Sequence, residues 1–292
     1  MSGSIPDPTA PLTPSGNLRR RQVFSKVAEY TATAAAVAAV IVLGIVVYTV
    51  VARGIGAISL DFIFTSAPTG VAPALVGTIE IVTIGALIAA PLGVLIALFL
   101  TEFSSNRFAG PIRLTLDLMN GLPSIIVGLF IFGLLVRPPH STAIAASVAL
   151  AIIMLPLVAR GSIEVLLLVP NSMREASDAL GVARWRAVLT VILPAALGGI
   201  LTSTVLAVAR AAGETAPLLL IIPVAEYAGI SLNPFEPLPS IPVKIYSLSE
   251  EGSPEGFTEA WGLALLLVSF ILFASLSARA LLARSKRKMT SS

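Results

Sequence analysis

The sequence has no cysteine and only one histidine, His140. Without cysteine there is no disulfide framework, no thiolate nucleophile and no Cys-based metal site. One histidine beside Pro138 and Pro139 cannot assemble a metal centre, and it is expected to sit in a short solvated turn. Charge is also scarce: 12% of residues are charged, about half of the ~25% usual in soluble domains. There are four lysines, Lys26, Lys244, Lys286 and Lys288, preceded by Ser, Val, Ser and Arg. None completes the Gly-Lys turn that cradles nucleotide phosphates, so the chain is expected to bind no ATP or other cofactor itself. No Gly-x-Ser-x-Gly elbow is present either, which leaves an intramembrane hydrolase without a nucleophile signature.

What is abundant is apolar sequence, 56% of residues, in long runs that point to an all-α membrane protein. Residues 1–27 begin with a Pro-, Ser- and Thr-rich stretch and are expected to form a disordered tail. The basic cluster Arg19, Arg20, Arg21 and Lys26 precedes an uncharged run from Thr31 to Ala52. That run is long enough to cross a ~30 Å hydrocarbon core and too long for a signal peptide's apolar region. Further runs at roughly 74–100, 114–136, 142–159, 188–222 and 260–282 bring the expected count to six transmembrane helices. The run 188–222 exceeds one straight crossing, and Pro217 and Pro223 predict a bend near its far end.

If the amino terminus is cytoplasmic, fourteen Lys and Arg fall on the cytoplasmic side. They are Arg19, Arg20, Arg21, Lys26, Arg107, Arg113, Arg174, Arg184, Arg186, Arg279, Arg284, Lys286, Arg287 and Lys288. Three, Arg53, Arg137 and Lys244, fall outside. The asymmetry predicts cytoplasmic termini. The expected organisation is a tail (1–27), a first span with its external connection (28–73), a five-span core (74–283) and a basic tail (284–292). The longest external segment, about 224–259, is acidic and proline-rich, and reads either as a solvated loop or as a docking surface.

A long loop, 161–187, lies between the fourth and fifth spans. Met173, Ala176, Leu180 and Ala183 recur at helical spacing, and Arg174 and Asp178 form an i, i+4 pair. Pro170 and Asn171 suit a helix start and Gly181 a turn. The pattern describes a short amphipathic helix on the cytoplasmic face, either docking a partner or lying on lipid.

Arg210 and Glu214 interrupt the fifth apolar run. A buried arginine costs about 2.5–3.5 kcal/mol on insertion scales, so the pair needs a reason. One is a structural ion pair. The other is a substrate contact, in which the guanidinium fork meets an oxyanion and Glu214 serves as its counter-ion until the anion arrives. If the span starts near Pro194, Arg210 falls past the midplane toward the outside. Asp117 and Glu80 lie near span ends and read as structural or orienting residues.

The segment EASDALGVARWRAVLTVILPAA resembles the signature loop of ABC importer permeases, with Glu175, Ala176, Ser177, Gly181, Val191, Leu193 and Pro194 at the matching positions. Ser177 stands where the family has a second alanine, and Val191 where isoleucine is usual. NGLPSIIVGLF, FLTEF and ARAAGETAPLL are similar to the phosphate-specific (Pst) permeases, and Gly213 to Leu219 more to the PstA type than to its PstC-type companion. The resemblance covers roughly residues 74–283 and implies a MetI-like permease fold for an ATP-driven phosphate importer in a bacterial cytoplasmic membrane. It implies that Glu175, Ala176, Ser177 and Gly181 form a coupling helix, and that Arg210, Arg160, Glu214 and Thr215 lie on the substrate path. The implied partners are a PstC-like companion permease, two ATPase subunits that use the ATP, an external phosphate-binding protein and membrane lipid, with no nucleic acid. Alternatives are a permease for molybdate or sulfate, or an intramembrane hydrolase.

Overall fold

The computed structural model describes residues 18–66, 70–103, 107–136, 141–222 and 229–290, and the backbone alone at the two ends of that set. The expected external Arg137, Glu226 and His140 lie outside the described residues, as do Pro223 and residues 1–17. The chain divides into two units, residues 1–51 and 52–292.

Among its described residues, the first unit is one helix. α1, Leu18–Gly54, runs through it and ends three residues into the second unit. Residues 18–27, expected in the disordered tail, are helical. Its threonines return their hydroxyls to the preceding turn, Thr31 to the Val27 carbonyl at 2.9 Å and Thr49 to that of Ile45 at 2.8 Å. Polar side chains satisfied in this way fit an apolar span. The helix's large aliphatic side chains, such as Val40 and Leu43, are exposed, as lipid contact requires.

The second unit is a helical bundle built on small residues. After α2, Leu60–Phe64, come the long α3, Ala72–Glu102, then α4, Ala109–Gly121, α5, Ser124–Leu135, and α6, Ala143–Leu167. α7, Asn171–Ala179, and the one-turn α8, Arg184–Ala187, form the loop after α6. A π-helical turn, Val188–Ile192, joins α8 to α9, Leu193–Ala212. α10, Ala216–Ile221, α11, Ile241–Glu251, and α12, Pro254–Thr290, complete the chain. α3 and α6 pack closely because glycine lets their backbones approach: a Cβ on Gly85 would meet the Ser147 carbonyl at 3.0 Å, and one on Gly93 the Val158 side chain at 2.9 Å. Small residues play this part in membrane bundles, where lipid tails compete for apolar contact.

Among the described residues, five helical runs are long and apolar enough to cross a membrane: Arg20–Ala57, Ala72–Glu102, Ala143–Leu167, Arg184–Ala212 and Pro254–Ser277. The third expected span, 114–136, differs. It is a broken pair, α4 and α5, bent by 102° at Leu122–Pro123, and it makes the sixth crossing only if the pair is counted as one. The long fifth run bends as expected, but the break falls at Gly213–Thr215, ahead of Pro217. α6 continues to Leu167, so the loop after it is shorter than 161–187 and Arg160 lies inside a helix.

The segment expected as a long external loop contains α11, tied to α12 by a Lys244–Glu259 ion pair at 2.9 Å. Ahead of α11, Glu236 accepts hydrogen bonds from Ser231 at 2.8 Å and Asn233 at 3.0 Å. The Ser231 hydroxyl first, then the Asn233 amide, holds its carboxyl below the ordinary value. That contribution to loop order is present above the ordinary carboxylate range and is lost as pH falls through the lowered value. The loop in turn caps α6, whose Ala143 and Ile144 amides donate to the carbonyls of Glu236 and Pro234 at 2.8 and 3.0 Å.

Candidate functional site: two broken helices and a clamped loop

The two breaks meet. A Cβ on Gly128 of α5 would lie 2.5 Å from Cα of Pro217 in α10, so glycine at 128 is what lets the second half of one broken helix pack on that of the other. Between the breaks is a cavity of about 100 Å³. Met119, Asn120, Leu122, Ser124 and Val127 line it from the α4–α5 break, Ile152, Ile153 and Leu157 from α6, and Arg210 and Glu214 from the end of α9. Ile153 and Leu157 are the eleventh and fifteenth residues of the 25 in α6, so the cavity lies beside that helix's middle. Arg210, near the end of the helical run that begins at Arg184, lines the cavity at this level of α6. Non-helical backbone at such depth persists where it lines a cavity, and broken helices of this kind form midplane sites in transporters.

Arg210 occupies the last turn of α9, where the helix's negative end favours a cation. Its Nε lies 3.9 Å from Glu214 Oε1, with the arginine side chain 64% exposed and the glutamate 18%. The pair is loose, and the guanidinium has no closer acceptor among the described residues. Thr215 lies in the same break, but its hydroxyl turns back to the Gly213 carbonyl at 3.5 Å, and it is not among the residues lining the cavity.

Arg160 is not in the cavity either. It shares a face of α6 with Ile153 and Leu157, one turn nearer the loop after α6. Its guanidinium hydrogen-bonds Asp117 of α4, which lies three residues before the cavity-lining Asn120. Asp117, expected as a structural or orienting residue, is the counter-ion of Arg160. Each of the two arginines thus has a carboxylate partner, Glu214 for Arg210 and Asp117 for Arg160. Glu80 of α3 has a buried Oε2 without a hydrogen-bond partner among the described residues.

The loop after α6 departs from its expected geometry. Arg174 does not pair with Asp178. Its guanidinium donates to Glu102 at 2.9 Å, to the carbonyls of Leu166 and Val169 at 2.9 and 2.6 Å, and to the Asn171 side chain at 3.2 Å. Asp178 instead approaches Arg184 at 3.7 Å. The expected apolar stripe is also not the buried face. Met173 packs inward and Ser177 is buried, its hydroxyl on the Met173 carbonyl at 2.9 Å, whereas Glu175, Ala176 and Leu180 are exposed. Leu180 is 81% exposed.

α7 ends in a paired turn: the Val182 amide donates to Ser177 O at 3.1 Å and the Gly181 amide to Asp178 O at 3.0 Å. This Schellman arrangement places Gly181 at φ +68°, a conformation that glycine adopts without steric cost. The loop therefore presents an acidic residue and an apolar knob outward on a rigid turn. Glu102, at the end of α3, was visible in the sequence only as one letter of FLTEF, because its partners lie 72 and 82 residues away.

Residues 89–291 match the family described as binding-protein-dependent transport system inner membrane component. By class, then, the protein is the permease component of an ABC importer, a membrane subunit whose ATP hydrolysis resides in a separate subunit. A phosphate transport system permease protein PstA of Haemophilus influenzae is 37% identical over 241 residues, covering 80% of this chain and 85% of that protein. PstA 1 of Mycobacterium tuberculosis is 34% identical over 271 residues, covering 89% and 88%. A crystal structure of a bacterial alginate ABC transporter, in complex with an alginate pentasaccharide-bound periplasmic protein, shares the fold. Its TM-score is 0.61 at 13% identity, over 89% of this chain and 95% of that one. The chain belongs to the PstA family of phosphate transport system permease proteins.

Proposed function

We propose that this chain conducts inorganic phosphate across the bacterial cytoplasmic membrane, with Arg210 as its principal anion contact and Glu214 as the resting counter-ion. The observation that carries the reading is the meeting of two helix breaks at a cavity lined by a loosely paired arginine. A guanidinium offers paired N–H groups to two oxygens of one phosphate and stays charged at any working pH. The amino-terminal end of α5 at Ser124 adds a favourable dipole from the opposite wall. Arg160 is the second station, on the side of the loop, with Thr215 shaping the break. The phosphate named for its relatives supports phosphate over molybdate or sulfate, and the chain's motifs do not favour a hydrolase.

The outward face of α7, with Glu175, Ala176 and Gly181, docks the ATPase subunit, while Ser177 lies buried on its inner face. The assembly comprises this chain, a PstC-like companion permease, two ATPase subunits and an external phosphate-binding protein, with both termini of the chain in the cytoplasm. The alginate importer's complex with a periplasmic protein supports the last of these partners by analogy of fold. No cofactor is assigned to the chain itself.

Replacing both charges, Arg210→Leu with Glu214→Leu, tests the path. A pair kept for packing is often replaced by apolar residues at little cost, so a structural pair predicts native transport. The proposed role predicts an assembled importer that moves no phosphate. Phosphate uptake at the native rate by the double variant would refute it.

A further inference from the structure

Among the described residues, Glu102 is the one charged residue that is buried, and its side chain is fully withdrawn from solvent. It sits at the carboxyl end of α3, where the helix dipole disfavours an anion. Burial of a carboxylate persists only with strong partners, and here they are two arginines. Arg174 Nη2 reaches Oε1 at 2.9 Å, and Arg184 Nη2 reaches Oε2 at 3.0 Å. The two arginines flank the loop's tip, one on α7 before Gly181 and one on α8 after it. Arg174 also donates to the carbonyl of Leu166, in the last turn of α6, and to that of Val169, just beyond the helix.

The loop is covalently continuous with α6 and, through α8, with α9. It has no covalent tie to α3. Glu102 supplies a non-covalent one, so both limbs of the loop and the ends of α3 and α6 converge on one carboxylate. A displacement of α7 that left α3 behind would strand a buried charge. α3 must therefore follow. It packs along α6 through Gly85 and Gly93, and α6 carries both a cavity wall and Arg160.

We infer that Glu102 is a positioning residue for energy coupling: acting through Arg174 and Arg184, it makes movement of the loop into movement of the α3–α6 pair. The inference rests on the reading of the loop as the ATPase coupling element. Loss of Glu102 leaves α7 attached to its two flanking helices but frees it from α3.

The test uses the full chain in its reconstituted importer, with phosphate-loaded binding protein, and measures phosphate moved per ATP hydrolysed. This ratio does not depend on how much complex assembles, so a purely structural defect leaves it at the native value. Glu102→Gln keeps the side chain's shape and removes its charge. The ratio is expected to fall about tenfold, the scale of one hydrogen bond to a charged group. Glu102→Asp retains the charge and is expected to recover part of the loss. Arg184→Gln, which removes one of the two bonds, is expected to lower the ratio in the same direction and by less. A native ratio in Glu102→Gln overturns the inference, whatever Arg184→Gln shows. Glu175→Lys, on the loop's outward face, separates the two readings. If it lowers the ratio and Glu102→Gln does not, the coupling loop stands and the role of Glu102 fails; if neither lowers it, the coupling reading fails with it.

Discussion

Lysine at position 210 separates charge from geometry. Arg210 is 64% exposed within the chain and lies 3.9 Å from Glu214, so its ion pair contributes to stability on the scale of exposed pairs, about 0.2–1 kcal/mol. Lysine retains the positive charge and can still reach Glu214, so Arg210→Lys is expected to insert and assemble like the native chain. Transport is a different matter. A guanidinium places two parallel N–H donors on two phosphate oxygens, and an ammonium reproduces the charge but not the fork. Losing one charge-assisted hydrogen bond, about 1.5–3 kcal/mol, corresponds to roughly a 10- to 150-fold reduction. The assay is phosphate uptake into vesicles containing purified importer, normalised to the amount of assembled complex. Uptake within about twofold of native, an effect below the cost of any charged hydrogen bond, would refute the bidentate contact. So would a loss of uptake that merely tracks a loss of assembly.

Two further outcomes follow from the same geometry. Gly181→Val places a β-branched residue at φ +68° with open space around its Cβ, so the cost is backbone strain alone, about 1–2 kcal/mol. The chain should insert normally while transport per ATP falls, and Gly181→Asn should be milder because asparagine tolerates this conformation; equal, native transport in both variants would contradict the turn's role. For topology, a reporter fused after Lys288 should lie in the cytoplasm and one inserted near Ser249, on α11, outside; finding both on one side would overturn the assigned orientation.

The helices and the loop were legible because apolar run length and the spacing of Glu175, Ala176 and Gly181 are local properties of the chain. So was the oddity of Arg210, since an arginine in an apolar run announces its own cost. The break at Leu122–Pro123 was not legible. The run 114–136 carries a single charge, Asp117, and proline is tolerated in spans where neighbours satisfy the freed backbone. What marks this proline as a 102° bend rather than a kink is the seat of Gly128 on Pro217, a contact between residues 89 positions apart in the sequence. The partner of Asp117 was not legible either, because Arg160 is 43 residues away.

Arg174 shows why a local rule misled. An i, i+4 pair with Asp178 offers about 0.2–0.5 kcal/mol on an exposed helix. The structure offers the same guanidinium a buried carboxylate and two backbone carbonyls, and hydrogen bonds to charged groups are each worth about 1.5–3 kcal/mol. The long-range partners win by a wide margin, and Asp178 is left to approach Arg184 at 3.7 Å. An arginine in a short loop between two long helices is therefore poorly assigned by its sequence neighbours: the carbonyls at the end of the preceding helix and any carboxylate brought to that level compete for it first. In this chain that competition is what joins the loop to α3.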